Sequence, residues 1–191
     1  MPGRRPLTEI AQQAWAPYLH PGDWAIDATA GNGWDTLCLA KAVSPGGRVF
    51  AIDRQEAAIE ATAARLQEAG LLEHVTLIRG DHAHMRDYLA CGVRGSVSLV
   101  CFNLGYLPGG DHDITTRPET TLPALHEALL LLKPEGALSV LAYRGHEGAM
   151  REAESVESFF RNLPTPWKCI QEVSSGSGDN PGPVWWMAAR A

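Results

Sequence analysis

Short apolar runs alternate along this chain with longer stretches of helical period. Five of the runs read as strands: Trp24–Asp27, Arg48–Asp53, Val75–Gly80, Ser96–Phe102 and Ala137–Tyr143. The fourth (Ser-Val-Ser-Leu-Val-Cys-Phe) is the continuous kind expected of a central parallel strand covered on both faces. Between them lie helical patterns. Leu7 to Leu19 places Leu7, Ile10, Ala11, Ala14 and Tyr18 on one face, with Thr8 as cap, Pro17 and Pro21 at the end, and a packing position beside the first strand. A second helix begins at Thr36, and a third runs from Gln55 to Gly70 with Ile59, Thr62 and Leu66 turned inward. Met85–Cys91, Thr121–Leu132 and Glu147–Leu163 supply three more, with Lys133-Pro-Glu-Gly136 as a turn. Trp167–Val173 and Val184–Arg190 read as a final antiparallel pair, joined by the Gly/Pro/Ser-rich residues 174–183. The layout predicts an α/β, Rossmann-like, doubly wound sheet, mostly parallel, closed by that antiparallel pair. It is expected to form a single domain over residues 1–191, with residues 1–22 as an N-terminal helix and turn.

Composition narrows this little but usefully. With 45% hydrophobic and 20% charged residues in 191, the chain has the balance of an ordinary globular domain. No run is long enough to span a membrane, and no apolar segment follows Met1-Pro-Gly-Arg-Arg-Pro6 to make a signal peptide, so a cytoplasmic location is expected (a plastid if the source is a plant). The four cysteines are scattered, with no Cys-x-x-Cys, and read as reduced thiols. Sixteen Lys and Arg stand against 22 Asp and Glu, a net charge of −6, which argues against broad electrostatic binding of nucleic acid.

The chemistry concentrates at strand ends. Asp27 closes the first strand and is followed by Thr29, Gly31, Asn32, Gly33, Asp35 and Thr36. Glycines at a strand-to-helix junction allow positive φ and close approach of a ligand to helix amides. A dinucleotide turn would need a third glycine where Thr36 stands, and a carboxylate at the strand end would repel a pyrophosphate. The carboxylate suits a cationic, phosphate-free ligand. Asp53 closes the second strand twenty residues after Gly33, the distance at which such folds place an acid on ribose hydroxyls, and Gln55 follows it. The third strand runs into Asp81-His82, candidate partners for an adenine amino group. A rival reading joins His82 and His84 to Asp111, His112 and Asp113 as a metal site; no metal is expected.

The fourth strand delivers Asn103-Leu-Gly-Tyr106 to the same edge. An amine to be alkylated needs its hydrogens held by acceptors so that its lone pair points at the electrophile. The Asn103 side chain and the Leu104 carbonyl supply acceptors, Gly105 permits the backbone path, and Tyr106 offers a ring for stacking. The acid-x-Thr-x-Gly-x-Gly loop resembles the first motif of class I S-adenosylmethionine-dependent methyltransferases. Asp27-Ala-Thr-Ala-Gly-Asn-Gly-x-Asp-Thr36, Phe102-Asn-Leu-Gly-Tyr-Leu-Pro-Gly-Gly110, the Thr115/Thr116 to Thr121 segment and Tyr143-x-Gly-His146 together resemble one family within that class. It comprises small bacterial and plant methyltransferases long labelled rRNA methylases and now assigned to the wobble 5-aminomethyl-2-thiouridine of tRNA.

That resemblance implies N-methylation of the aminomethyl group with S-adenosyl-L-methionine. Cofactor contacts are expected from Asp27, Thr29, Gly31, Asn32, Gly33, Asp35, Thr36, Asp53, Gln55, Asp81, His82 and Asn103. Substrate contacts are expected from Leu104, Gly105, Tyr106, Tyr143 and Arg144. Asn103, Tyr106 and His146 form the catalytic set, with His146 ranked ahead of His112 and Tyr143 as proton acceptor. The expected partner is the tRNA anticodon region, with a homodimer left open. Two departures from the family stand out: Trp34 where His is usual, and Asp81-His82-Ala83 where Ser-His-Glu is usual. A small-molecule or other RNA amine as substrate, or a non-catalytic cofactor-binding subunit, are the alternatives. Convergence of Arg4, Arg5, Arg117, Arg144, Arg151, Arg161 and Lys168 on the site rim would favour RNA.

Overall fold

The computed structural model describes residues 5–89, 92–109, 114–145, 148–173 and 181–190. Seven strands form one sheet in the order β3-β2-β1-β4-β5-β7-β6. They are β1 (Trp24–Asp27), β2 (Arg48–Asp53), β3 (Val75–Arg79), β4 (Val97–Leu104), β5 (Leu132–Ala142), β6 (Trp167–Val173) and β7 (Val184–Arg190). The first five pair in parallel, while β7 pairs antiparallel with both β5 and β6. The expected class I methyltransferase layout is therefore present. Strand order reverses between β1 and β4, and that switch point opens a crevice beyond the carboxyl ends of the strands.

The helices are α1 (Leu7–Trp15), α2 (Trp34–Val43), α3 (Glu56–Glu68), α4 (Met85–Tyr88), α5 (Pro118–Leu131) and α6 (Ala149–Arg161). They cover the sheet on two sides. Ile26, Phe50, Ile52, Val100 and Phe102 pack with α5 and α6 residues on one face. Ala25, Val49, Ala51, Leu99 and Cys101 pack with residues of α1, α2 and α3 on the other. Side chains alternate along a strand, so Asp27, Asp53 and Asn103 share the parity of that second set. Three separate strand ends thus carry a polar side chain on one side of the sheet, next to the crevice.

Four expectations need correction. Thr8 does not cap α1: the cap position is Pro6, and no side chain bonds the helix start there. Rather than lying beside β1, α1 makes its main contacts with β5 and β7, and the third residue of its buried face is Trp15. Helix α2 starts two residues earlier than Thr36, at Trp34. Gly33 caps it at φ 78°, and Thr62 lies so close that a Cβ on Gly33 would meet its Cα at 2.8 Å. Lys133–Gly136, expected as a turn, belongs to β5, where the register with β4 jumps between Val97 and Leu99. Gly136 lets that bulge press on Val97, whose carbonyl oxygen would stand 2.9 Å from an added Cβ. Lys133 Nζ bonds Asp23 Oδ1 at 3.0 Å across the bulge.

Candidate active site

A cavity of about 500 Å³ opens at the switch point. Its walls come from the β1–α2 loop, the ends of β2 and β4, the 105–108 and 114–116 segments, and the first turns of α1 and α2.

The loop after β1 is fixed by two carboxylates. Asp27, 1% exposed, accepts from the Thr29 amide (3.1 Å) and the Thr36 hydroxyl (2.6 Å), stitching the strand end to α2. Asp53 accepts from the amides of Gly31 and Gln55, both at 2.9 Å, and this clamps the glycine loop to β2. A carboxylate offers about four lone-pair sites. Asp53 lines the cavity with two still available, whereas Asp27 lies behind the wall. Burial and the neighbouring Asp35 push the Asp27 carboxyl up to about 7.

Asp35, in the first turn of α2, is the acid that faces the cavity beside Asn103. It accepts from Gln12 Nε2 at 2.6 Å and from Asn103 Nδ2 at 3.3 Å, and burial raises its carboxyl above the ordinary range. An acceptor-only carboxylate orients the Asn103 amide: the nitrogen turns to Asp35, leaving Asn103 Oδ1 buried with no partner. The Asn103 amide N–H donates to Thr29 Oγ1 at 2.7 Å, so the β1 loop sets this residue's backbone as well.

His82 is 5% exposed, meets Phe102 edge-on at 5.7 Å, and hydrogen-bonds the Ala28 backbone. Burial lowers its pKa, so the ring is neutral, and Nε2 is without a partner. A neutral imidazole donating through Nδ1 presents Nε2 as an acceptor on the cavity wall. Asp81 instead caps its own turn by accepting from Ala83 N (2.9 Å) and faces Arg54 at 3.6 Å.

Of the expected site residues, Thr29, Gly31, Asn32, Asp35, Asp53, Gln55, His82, Asn103, Gly105, Tyr106 and Tyr143 line the cavity. Asp27, Gly33, Thr36 and Asp81 stand behind that lining as braces. The Leu104 carbonyl accepts from Tyr143 N at 3.1 Å, and Leu104 is not among the residues that line the cavity. Arg144 is turned away, its Nε donating to the Gly182 carbonyl at 2.7 Å. Burial raises the Tyr143 phenol further above neutrality, which makes it a donor and a poor proton acceptor. His146, His112, Asp111 and Asp113 lie outside the described residues, as does Arg4. Among the described residues no group of three or more His, Cys, Asp or Glu could hold a metal.

Among the described residues, none of Arg5, Arg117, Arg144, Arg151, Arg161 and Lys168 lines the cavity. Arg151 pairs with Glu119 (2.9 Å), Arg161 with Glu157 (2.6 Å), and Arg5 bonds Gln13 (2.7 Å). Arg54 is the one cation among the described lining residues, against Glu9, Asp35 and Asp53. Sequence reasoning also missed the contribution of α1 (Thr8, Glu9 and Gln12). It missed Glu152 too, a buried acid of α6 that accepts from Thr116 Oγ1 (2.7 Å) and Thr121 Oγ1 (2.6 Å). Through Thr116 it fastens the segment that pairs with Gly105 and Tyr106. Nothing in the local pattern around Gln12 or Glu152 marks either one.

Comparison with known proteins agrees with this geometry. The family model described as "Putative rRNA methylase" matches residues 49–187. A chloroplastic tRNA (mnm(5)s(2)U34)-methyltransferase of Arabidopsis thaliana is 43% identical over 178 residues, 88% of this chain. The chain spans 64% of the length of that relative. Among solved structures, the "putative rRNA-methylase" from Clostridium thermocellum superposes with a TM-score of 0.89 at 35% identity, over 99% of this chain and 100% of its own. A methyltransferase of the same standing from Streptococcus mutans, in complex with SAH, gives 0.83 at 29% identity, covering 99% of each chain. The cavity suits S-adenosylmethionine in its own right. Asp53 keeps free lone pairs for hydroxyls, His82 offers an orphaned acceptor for an exocyclic amine, and the acid-rich lining favours a cation. Sheet order, loop chemistry and these matches agree, and the chain belongs to the rRNA methylase family of S-adenosylmethionine-dependent methyltransferases.

Proposed function

We propose that the protein methylates the exocyclic amine of 5-aminomethyl-2-thiouridine at the wobble position of tRNA, giving the 5-methylaminomethyl product. S-adenosylmethionine, when bound, supplies an electrophilic methyl group; the chain's own residues hold and orient the amine. Asn103 Oδ1 carries the reading, because it is a fixed, partnerless acceptor on the cavity wall. An amine hydrogen satisfies it, and removing that orphaned acceptor's cost is worth about 1–3 kcal/mol. Asp35 provides a second acceptor beside it and attracts the charged form of the amine on arrival. Its carboxylate is placed to take the proton that this form must lose before its lone pair is free. The Leu104 carbonyl is not needed for this. Tyr106, 41% exposed on the same wall, offers its ring to the base. The tRNA specificity is supported by the plant relative named for that reaction.

Single-turnover methylation of tRNA bearing the aminomethyl thiouridine tests the assignment. Asn103→Ala should bind cofactor almost normally and turn over about a hundredfold more slowly, the scale set by misplacing a reacting atom by roughly an ångström. Tyr106→Ala should weaken tRNA binding by about 1–3 kcal/mol. Wild-type turnover in Asn103→Ala would show the loop to be structural only.

A further inference from the structure

Trp34 stands at the tip of the glycine loop, on the cavity rim, and 61% of its surface is exposed. That leaves a large aromatic ring open to a ligand at the cavity mouth. One face is already covered: the Arg65 guanidinium carbon sits 3.3 Å from the ring centroid, so the exposed surface is the opposite face and the rim. The stack is held from below, since Arg65 Nε donates to the Asn32 carbonyl at 2.7 Å. No carboxylate pairs with Arg65 among the described residues, whereas Arg54, Arg79, Arg86, Arg151 and Arg161 each face one.

We propose that Trp34 and Arg65 form a nucleotide-binding element that takes an RNA residue next to the modified one, its base on the open face of Trp34 and its phosphate on the Arg65 guanidinium. This deepens the tRNA reading and rests on it. The charge decides between the two ligands that could reach the rim. A base stacks on an aromatic face whatever its identity, so stacking alone would fit the adenine of the cofactor equally well. The cofactor, however, carries its single carboxylate at the far end of the molecule from its adenine, so it cannot stack its base on Trp34 and set its anion on Arg65 at once. A phosphodiester gains a charge-assisted, two-pronged contact from the Arg65 nitrogens left free by the Asn32 bond. Cation and ring together match base plus phosphate. They also supply what the rim otherwise lacks, because Arg54 is the only cation among the described lining residues.

The test compares two affinities in the full-length protein: for an anticodon stem-loop RNA carrying the aminomethyl thiouridine, and for S-adenosylhomocysteine. Trp34→Ala should weaken RNA binding about tenfold or more and leave S-adenosylhomocysteine affinity within about twofold. Trp34→Phe should recover most of the loss. Arg65→Gln should make log K for the RNA less steep against log salt by about 0.7, the contribution of one phosphate on a single strand. Unchanged RNA affinity in Trp34→Ala overturns the inference, as does a parallel loss of S-adenosylhomocysteine binding. A wild-type protein that fails to methylate the RNA refutes the tRNA reading itself. Methylation by the wild type with unaltered RNA affinity in the variants refutes only the Trp34–Arg65 element.

Discussion

Asp53 carries two duties at once, because its oxygens hold the Gly31 and Gln55 amides and still face the cavity. Asp53→Ala should therefore weaken S-adenosylhomocysteine binding by about 1–3 kcal/mol per lost buried interaction, read by calorimetric titration. Unchanged affinity there would remove Asp53 from the ribose role. Asp27 differs in kind, being enclosed and pushed up to about 7 by burial first and by Asp35 second. Its folded pKa lies above the unfolded one, so between roughly pH 4 and 7 the native state holds more protons than the unfolded chain. The slope of stability with pH is then negative: stability is highest on the acid side of this window and falls as pH rises through it. The fall from this one carboxyl is at most about 4 kcal/mol. Urea denaturation should show Asp27→Asn to be flatter across the window than the wild type. An equally steep decline in the variant would place the effect elsewhere.

At the scale of elements, the loop after β1 meets α2 and α3 in a close junction beside the site. Gly33 turns the chain in the left-handed region at φ 78°, against the backbone of Thr62. The Gly33→Ala variant meets both obstacles, a disfavoured φ and a backbone atom 2.8 Å from the new carbon. A loss of about 2–4 kcal/mol in denaturant unfolding is expected, together with weaker cofactor binding as α2 is pushed from α3. A stability within about 0.5 kcal/mol of wild type would mean that α3 yields easily. The 105–108 and 114–116 segments are tied differently, by Glu152 reaching from α6 to Thr116 and Thr121. Burial raises that carboxyl above its ordinary range, opposed by the two threonine hydroxyls.

For the molecule as a whole, charge sets the terms of any RNA contact. A chain of net charge −6 whose cavity is lined by Glu9, Asp35 and Asp53 cannot wrap a duplex electrostatically. With one to three phosphates neutralised, tRNA affinity should fall only about three- to fortyfold between about 50 and 200 mM salt. A thousandfold fall would demand a broad basic face. No change at all would favour a small amine as substrate. Among the described residues no helix is long and apolar enough to cross a membrane.

What the sequence determined by itself was everything that repeats locally or sits at a strand end. Short apolar runs placed six of the seven strands within a residue or two of their bounds, because burial on both faces leaves little freedom in composition. Asp27, Asp53 and Asn103 were readable as candidates because each stands at the end of such a run, and Asp27 also precedes Gly31 and Gly33, both at positive φ. Tertiary structure decided which acid faces inward. Asp27 and Asp35 look equivalent in the loop, yet the Thr36 and Thr29 bonds enclose one while α1 swings Gln12 onto the other. It also converted the expected turn at Lys133–Gly136 into a bulged strand, through a close approach to Val97 that no local pattern encodes. Gln12 with Asp35, Glu152 with Thr116, and Arg65 with Trp34 are partners 23, 36 and 31 residues apart (65 − 34 for the last). Such pairs exist only after the sheet has brought their helices together, since single-residue chemistry carries no record of which distant neighbour will meet it.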